Sequence, residues 1–151
     1  MPNELFDLKI HALHPARPVT VDLRDTVDSA IRIMQDRRIG CVLVVTRGRL
    51  AGIFTERDVL TKILRKGLDP AMIPVETCMT PEPETLREDD LVACAVNRMH
   101  LGGYRHLPIV DEQGAPVGVI SVKDVIDELA MLFPEEVLNP WNDIRKGDRY
   151  F

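Results

Sequence analysis

From Val27 onward, apolar residues fall at Val27, Ala30, Ile31 and Met34, the spacing of a helix with one buried face. Asp25 or Thr26 can cap its start, while Arg32, Asp36 and Arg37 lie largely off the stripe. Gly40 ends the period. Cys41-Val42-Leu43-Val44-Val45 is then a continuous apolar run, the pattern of a strand buried on both faces. Arg47-Gly48-Arg49 predicts a turn and Leu50 to Phe54 the next strand. Val59, Leu60, Ile63 and Leu64 form a second apolar helix face, stopped by Gly67. A short extended segment, Pro18-Val19-Thr20-Val21, precedes the whole unit.

The same order then returns. Pro70 to Pro83 carries four prolines and reads as a connection containing Met79-Thr80-Pro81. Glu84-Thr85-Leu86 takes the place of the first extended segment, and Asp90 can cap a helix with Val92, Ala95, Val96 and Met99 on one face. His106 to Val110 predicts a strand, Asp111 to Gly114 a turn and Pro116 to Ile120 a second strand. Val125, Ile126 and Leu129 open a closing helix. Val27 and Val92, Met34 and Met99, and Val44 and Ile109 are each 65 positions apart. Gly52 and Gly118, Asp58 and Asp124, and Leu60 and Ile126 are 66 apart, so one residue is inserted in the hairpin turn. An insertion confined to a turn, with both flanks in phase, indicates duplication. The period exceeds the roughly 20–50 residues of stacked repeats, so the expectation is a pair of units and not a solenoid.

The most distinctive repeated stretch is Gly52-Ile53-Phe54-Thr55-Glu56-Arg57-Asp58, whose second copy is Gly118-Val119-Ile120-Ser121-Val122-Lys123-Asp124. In each, a hydroxyl ends a strand and an aspartate falls in the first turn of the next helix. A helix N-terminus offers unpaired N–H groups to an anion. The hydroxyl of Thr55 or Ser121 can cap that helix or donate to a phosphate, and the carboxylate of Asp58 or Asp124 can accept from two vicinal ribose hydroxyls. The alternative is architectural: Ser or Thr followed three residues later by an acidic residue also makes a capping box, which only starts a helix. A lone copy favours the cap, whereas two copies in register favour binding.

Composition narrows the function classes. The chain has 151 residues, 45% hydrophobic and 28% charged, with a net charge of −5; a chain of this length buries about 68–70% of its unfolded surface. The acidic balance and the lack of a Lys/Arg cluster argue against nucleic acid as a partner. Three cysteines without CxxC spacing argue against a disulfide framework or structural zinc and for a reducing, cytoplasmic setting. No apolar run is long enough for a signal peptide or membrane span. Cys41 and Cys94 sit in apolar patterns as expected core residues, and His100 has no Cys or Ser partner, so no catalytic residue is assigned and an enzyme is not expected. His11 and His14 read as surface histidines. Leu5, Phe6, Leu8 and Ile10 of the lead-in can dock on the body, and Leu132, Phe133, Val137, Leu138, Trp141 and Ile144 can anchor a further helix on the body or on another subunit.

The β-α-β-β-α order, the doubled Gly-apolar-apolar-Ser/Thr-x-x-Asp motif, Met79-Thr80-Pro81 and Arg105-His106-Leu107-Pro108-Ile109-Val110 together resemble a tandem pair of CBS domains, a Bateman module, over roughly residues 18–129. The resemblance implies an α+β fold of two β-α-β-β-α repeats related by a pseudo-two-fold. The expected divisions are a lead-in (1–16), repeat 1 (17–67), a linker (68–83), repeat 2 (84–129, with the family signature beginning near 75) and a C-terminal extension (130–151). It further implies a non-catalytic sensor of adenine nucleotides, AMP first, then ADP and ATP, with no required cofactor. NAD(H) or S-adenosylmethionine is an alternative ligand, and a dimeric interaction scaffold with vestigial sites an alternative role. The family pattern places phosphate and ribose at Thr55, Asp58, Ser121 and Asp124, with Arg57 and Lys123 as secondary phosphate contacts and adenine near Thr20 and Thr85. In such pairs a basic residue before the buried strand reaches the phosphate held by the other repeat. That position is Arg105, with His106 beside it, in repeat 2 but Gly40 and Cys41 in repeat 1. The Asp58 site is therefore expected to gain cations that the Asp124 site lacks. A homodimer through the repeat helices and an unidentified regulated protein are the expected partners.

Overall fold

In a computed structural model, which describes residues 4–137, the chain is α+β and contains the β-α-β-β-α unit twice. In the first unit β1 (Thr20–Asp22) runs parallel to β2 (Cys41–Thr46), and β2 pairs antiparallel with β3 (Arg49–Thr55). Between β1 and β2 lies α1 (Val27–Arg37), capped by the Thr26 side chain, which accepts from the Ser29 N–H. The β2–β3 hairpin turns at Arg47 (φ 51°) and Gly48 (φ 75°), the double positive φ of a tight two-residue hairpin. α2 starts at Glu56–Asp58 and widens into a π-helical stretch over Val59–Leu64, where the Arg65 N–H reaches the Leu60 carbonyl. Its apolar face is only half used. Ile63 is buried, but Leu60 and Leu64 stand out into solvent at 62% and 66% exposure.

The second unit comprises α3 (Val92–Gly102), β5 (His106–Val110), β6 (Pro116–Ser121) and α4 (Val122–Leu132), followed by α5 (Pro134–Val137). Its first strand shrinks to a single parallel bridge, Leu86 to Ile109, which is the Val21–Val44 pair of the first unit moved on by 65 residues. Asp90 does not cap α3. Leu91 occupies the cap without a side-chain bond, and the Asp90 carboxylate accepts instead from the Arg87 N–H at 2.8 Å.

The segments flanking the units are exchanged. The stretch before repeat 2 packs on repeat 1: Val75 and Cys78 join the core of Val21, Val27, Ala30, Met34, Val42, Val44, Phe54 and Ile63. Its β4 (Thr80–Pro81) adds a fourth strand beside β3. The lead-in before repeat 1 packs on repeat 2: Leu5, Ile10 and Leu13 enter the core of Leu86, Val92, Ala95, Leu107, Ile109, Ile120 and Val125, while Ala16 pairs with Val119. Leu8 packs against that core, whereas Phe6 remains 41% exposed. The motif glycines sit at these crossings. A Cβ on Gly52 would lie 2.5 Å from Met79 Sδ and 2.8 Å from the Thr80 carbonyl oxygen, and one on Gly118 would lie 3.0 Å from Pro15 Cβ. Their recurrence therefore has a packing cause. Cys41, Leu43 and Ile53, with Leu50 and Val119 against them, form a small third cluster between the two sheets.

Candidate functional site

Each repeated motif forms the local structure that its residue order dictates. Thr55 Oγ1 accepts from the Asp58 N–H (3.3 Å), and Asp58 Oδ2 accepts from the Thr55 N–H (2.9 Å) and hydroxyl (3.1 Å). Ser121 and Asp124 repeat this, with Oδ2 accepting from the Ser121 N–H at 2.6 Å and from its hydroxyl at 2.9 Å. Both are full capping boxes. Each hydroxyl spends its single proton on its own aspartate, so donating to a phosphate requires that rotor to turn.

Two clefts open beside these boxes. The first, of about 260 Å³, brings Thr55, Arg57 and Asp58 of repeat 1 together with Arg105 and His106 of repeat 2. Ile53, Thr80, Pro83, Leu107 and Tyr104 supply apolar and aromatic wall, and Glu56 and Glu84 add carboxylates. The second, of about 180 Å³, is lined by Ser121, Asp124, His106, Arg17 and Cys41, with Ala16, Val19, Ile39 and Val119 around them. Thus seven of the ten candidate residues line a cleft. Thr20, Thr85 and Lys123 do not. Thr20 is exposed in β1 beside the lining residue Val19. Thr85 neighbours the lining Glu84, and its carbonyl accepts from Arg98. Lys123 is turned along α4 to pair with Asp127 at the exposed surface, a bond that pushes its ammonium pKa up.

Two features correct the expected asymmetry. The Asp124 cleft does have a cation: Arg17, placed there next to the Ala16–Val119 pairing that anchors the end of the exchanged lead-in. The clefts differ most in what holds the aspartate. Asp58 is 7% exposed, and its Oδ1 lies 2.9 Å from Lys62 Nζ, which also donates to the carbonyl of Cys78 at 2.9 Å. The position matching Lys62, 66 residues on, is Glu128. Asp124 has no ion pair among the described residues. Comparing charge at register-matched positions would have exposed this reversal; no local pattern could have exposed Arg17.

His106 is half-buried, and its imidazole pKa is lowered by burial, against the upward pull of Glu56 and Asp124 and with a further downward push from Arg105. Burial, assisted by Glu56, pushes the Cys41 thiol up to about 12, which leaves it protonated and a poor nucleophile. Cys94, expected in the core, is exposed on α3. His11, His14 and His100 are exposed as well. Among the described residues no group of three or more His, Cys, Asp or Glu side chains is placed to hold a metal, and no helix is long and apolar enough to cross a membrane.

The model of the CBS domain family matches residues 12–65 and 75–131. An Arabidopsis thaliana CBS domain-containing protein is 31% identical over 117 residues, which is 78% of this chain and 20% of that protein. The chain spans only 14% to 20% of the length of the first such relatives. A CBS domain protein from Pyrobaculum aerophilum, solved in complex with AMP, superposes with a TM-score of 0.76 at 25% identity, over 87% of this chain and 99% of that one. A CBS domain pair solved with 5′-methylthioadenosine and S-adenosyl-L-methionine shares the fold, with a TM-score of 0.74 at 23% identity over 81% of this chain and 99% of that one.

Proposed function

The chain belongs to the CBS domain family, as a pair of repeats, and from that premise we propose that it is a non-catalytic regulatory module that binds an adenine nucleotide, AMP first, in the Asp58 cleft. The observation that carries this reading is convergence: Thr55, Arg57 and Asp58 arrive from one repeat and Arg105 and His106 from the other, on a single cleft of about 260 Å³. Arginine guanidinium groups suit a phosphate, and the Asp58 carboxylate suits a ribose diol once the Thr55 hydroxyl or Lys62 yields one of the three bonds it now makes. Tyr104 and Ile53 offer a purine aromatic and apolar surface to rest on. The Pyrobaculum protein solved with AMP supports the ligand class. The Asp124 cleft, smaller and with Arg17 in place of the Arg57–Arg105 pair, is the weaker site for a phosphorylated ligand. An adenosyl compound without a phosphate, S-adenosylmethionine among them, is the alternative occupant there, and the pair solved with 5′-methylthioadenosine and S-adenosyl-L-methionine is the parallel.

Calorimetry with AMP, ADP and ATP on the wild type, Asp58→Ala and Asp124→Ala tests the assignment. Asp58→Ala should weaken the tighter site roughly tenfold or more, the loss of a charge-assisted contact. Unchanged binding in that variant would remove Asp58 from the site. The module is further proposed to act as a homodimer through α2 and α4. The supporting observation is that Leu60, Leu64, Ile126 (51%) and Met131 (77%) on those helices are exposed apolar side chains. A chain with Leu60→Glu and Ile126→Glu should scatter light as a monomer, and persistence of the dimer would place the interface elsewhere. In the tail, Leu132 and Phe133 are half-buried and Val137 is exposed, while Leu138, Trp141 and Ile144 lie outside the described residues.

A further inference from the structure

The two clefts share a wall. Gly40 and His106 line both, and they are the only two residues that do so among the described lining residues. A Cβ placed on Gly40 would lie 3.0 Å from His106 Cε1, 3.2 Å from its Nε2 and 3.8 Å from the carboxyl carbon of Glu56. The imidazole edge therefore rests against bare backbone at the seam, with no side chain between it and either cavity. Charged groups face it from both sides. Glu56 of α2 and Arg105 of its own strand's approach lie toward the first cleft, with Arg57 and Asp58 beyond. Glu84 and Tyr104 complete the titratable groups of that side. Asp124 of α4, with Arg17 and the protonated Cys41, lies toward the second.

We propose that His106 couples the two clefts: an anion bound in one draws a proton onto the imidazole, and the charged ring then favours an anion in the other. The inference rests on the nucleotide reading above. The physical basis is that a neutral imidazole offers one N–H and no charge, whereas an imidazolium offers two N–H groups and a positive charge at the seam that both cavities share. The first anion meets the cost of protonating a group that burial keeps neutral, and the second anion does not meet it again. Burial lowers the free ring's pKa, so at pH 7.5 the ring starts neutral and the proton must come from solvent. As pH falls through that lowered value the ring is already charged, and both the proton uptake and the coupling fade.

The test uses AMP as the probe on the intact chain. Titrations at pH 7.5, in two buffers of different ionisation enthalpy, give the proton uptake and the ratio of the two stepwise constants. His106→Gln removes the ionisable ring, and Gly40→Ala leaves the ring present but pushes it from the seam. The wild type should take up more protons than His106→Gln, and its ratio of second to first constant should exceed that of the variant by roughly fivefold or more. Gly40→Ala should fall between them. The AMP phosphate's own proton cancels in the comparison. With four histidines in the chain, the His106 imidazole signal is assignable by its loss in the variant, and saturating AMP should raise its titration midpoint. Equal ratios in wild type and His106→Gln, a midpoint indifferent to AMP, or a single AMP bound with the second cleft empty would each overturn the coupling while leaving nucleotide binding in place. Absence of any AMP binding would instead remove the nucleotide reading, and this inference with it.

Discussion

The Asp58 and Asp124 clefts are made by the same residue order and reach the same capping box, yet they differ in what stands behind the carboxylate. Asp58 is buried and held from a second side by Lys62, whose ammonium also ties α2 to the Cys78 carbonyl of the linker. Asp124 is more open, and the matching helix position is Glu128. The repeat fixes the shape of each site, and the positions that the motif leaves variable set its charge. The first cleft gathers two arginines, Arg57 and Arg105, together with Glu56 and Glu84, and the second a single arginine, Arg17. The same contrast runs through the crossings of the exchanged segments, which are tight at Gly52 and looser at Gly118.

The largest expected difference lies at those glycines. Neither has the positive φ that only glycine accepts readily, so substitution by alanine is decided by space. Removing backbone freedom from the unfolded chain favours alanine by about 0.4–1 kcal/mol. At Gly52 the new Cβ would meet the Thr80 carbonyl oxygen at 2.8 Å, and backbone cannot step aside as a side chain can. Gly52→Ala should therefore cost about 1–3 kcal/mol. At Gly118 the nearest atom is Pro15 Cβ at 3.0 Å, which a small shift of the lead-in relieves, so Gly118→Ala should change stability by less than about 1 kcal/mol. Urea denaturation of both variants measures this. Equal losses would mean that the two crossings are equally tight.

The aspartates come next. In Asp58→Asn the amide would place either its N–H₂ toward Lys62 or its only oxygen there, at the expense of the bonds to Thr55. The loss should be about 1–3 kcal/mol, between the values for exposed and buried ion pairs. In Asp124→Asn the oxygen can stay on the Ser121 N–H and the amide can face water, so a loss of about 0.5–1 kcal/mol is expected. Asp58→Asn in a Lys62→Met background should cost less than Asp58→Asn alone, since the partner it offends has gone. Additive losses would remove Lys62 as the source of the difference.

The parts of this arrangement that were legible in the sequence are those set by local periodicity. The Val27–Met34 stripe, the Cys41–Val45 run and the 65- and 66-residue spacings describe segments whose burial is repeated in each half, so pattern and structure coincide. The apolar face of α2 was legible as a stripe, but its spacing does not tell which members are buried: Ile63 enters the core, while Leu60 and Leu64 face solvent at 62% and 66% exposure. Thr55, Asp58, Ser121 and Asp124 were legible because each motif makes its own turn. Arg17 was not, because its place in the Asp124 cleft depends on the lead-in crossing to the far repeat, a tertiary exchange that leaves no period. Lys123 lies outside both clefts for the opposite reason: its match to Arg57 holds in register, but Asp127 one turn on pairs with its ammonium.

The smallest expected effect asks which cleft His106 leans toward before any ligand arrives. Its imidazole has a lowered pKa in the folded chain, with burial the chief cause, while in the unfolded chain it titrates near the ordinary 6.5. Between those two values the unfolded state binds more protons, so stability rises with pH across that window. The contribution is fully present above 6.5 and is lost as pH falls through the folded value. Subtracting the stability of His106→Gln, measured by denaturation from pH 5 to 8, isolates this ring from other titrating groups. The difference should decline on acidification. Glu56 and Asp124 both oppose the shift, Glu56 more than Asp124, and each belongs to a different cleft. Glu56→Gln should therefore steepen the decline more than Asp124→Asn does, because neutralising the stronger opposing carboxylate lowers the folded pKa further. A larger response to Asp124→Asn would put the resting ring on the second cleft's side of the seam, and with it the first proton that an arriving anion would draw.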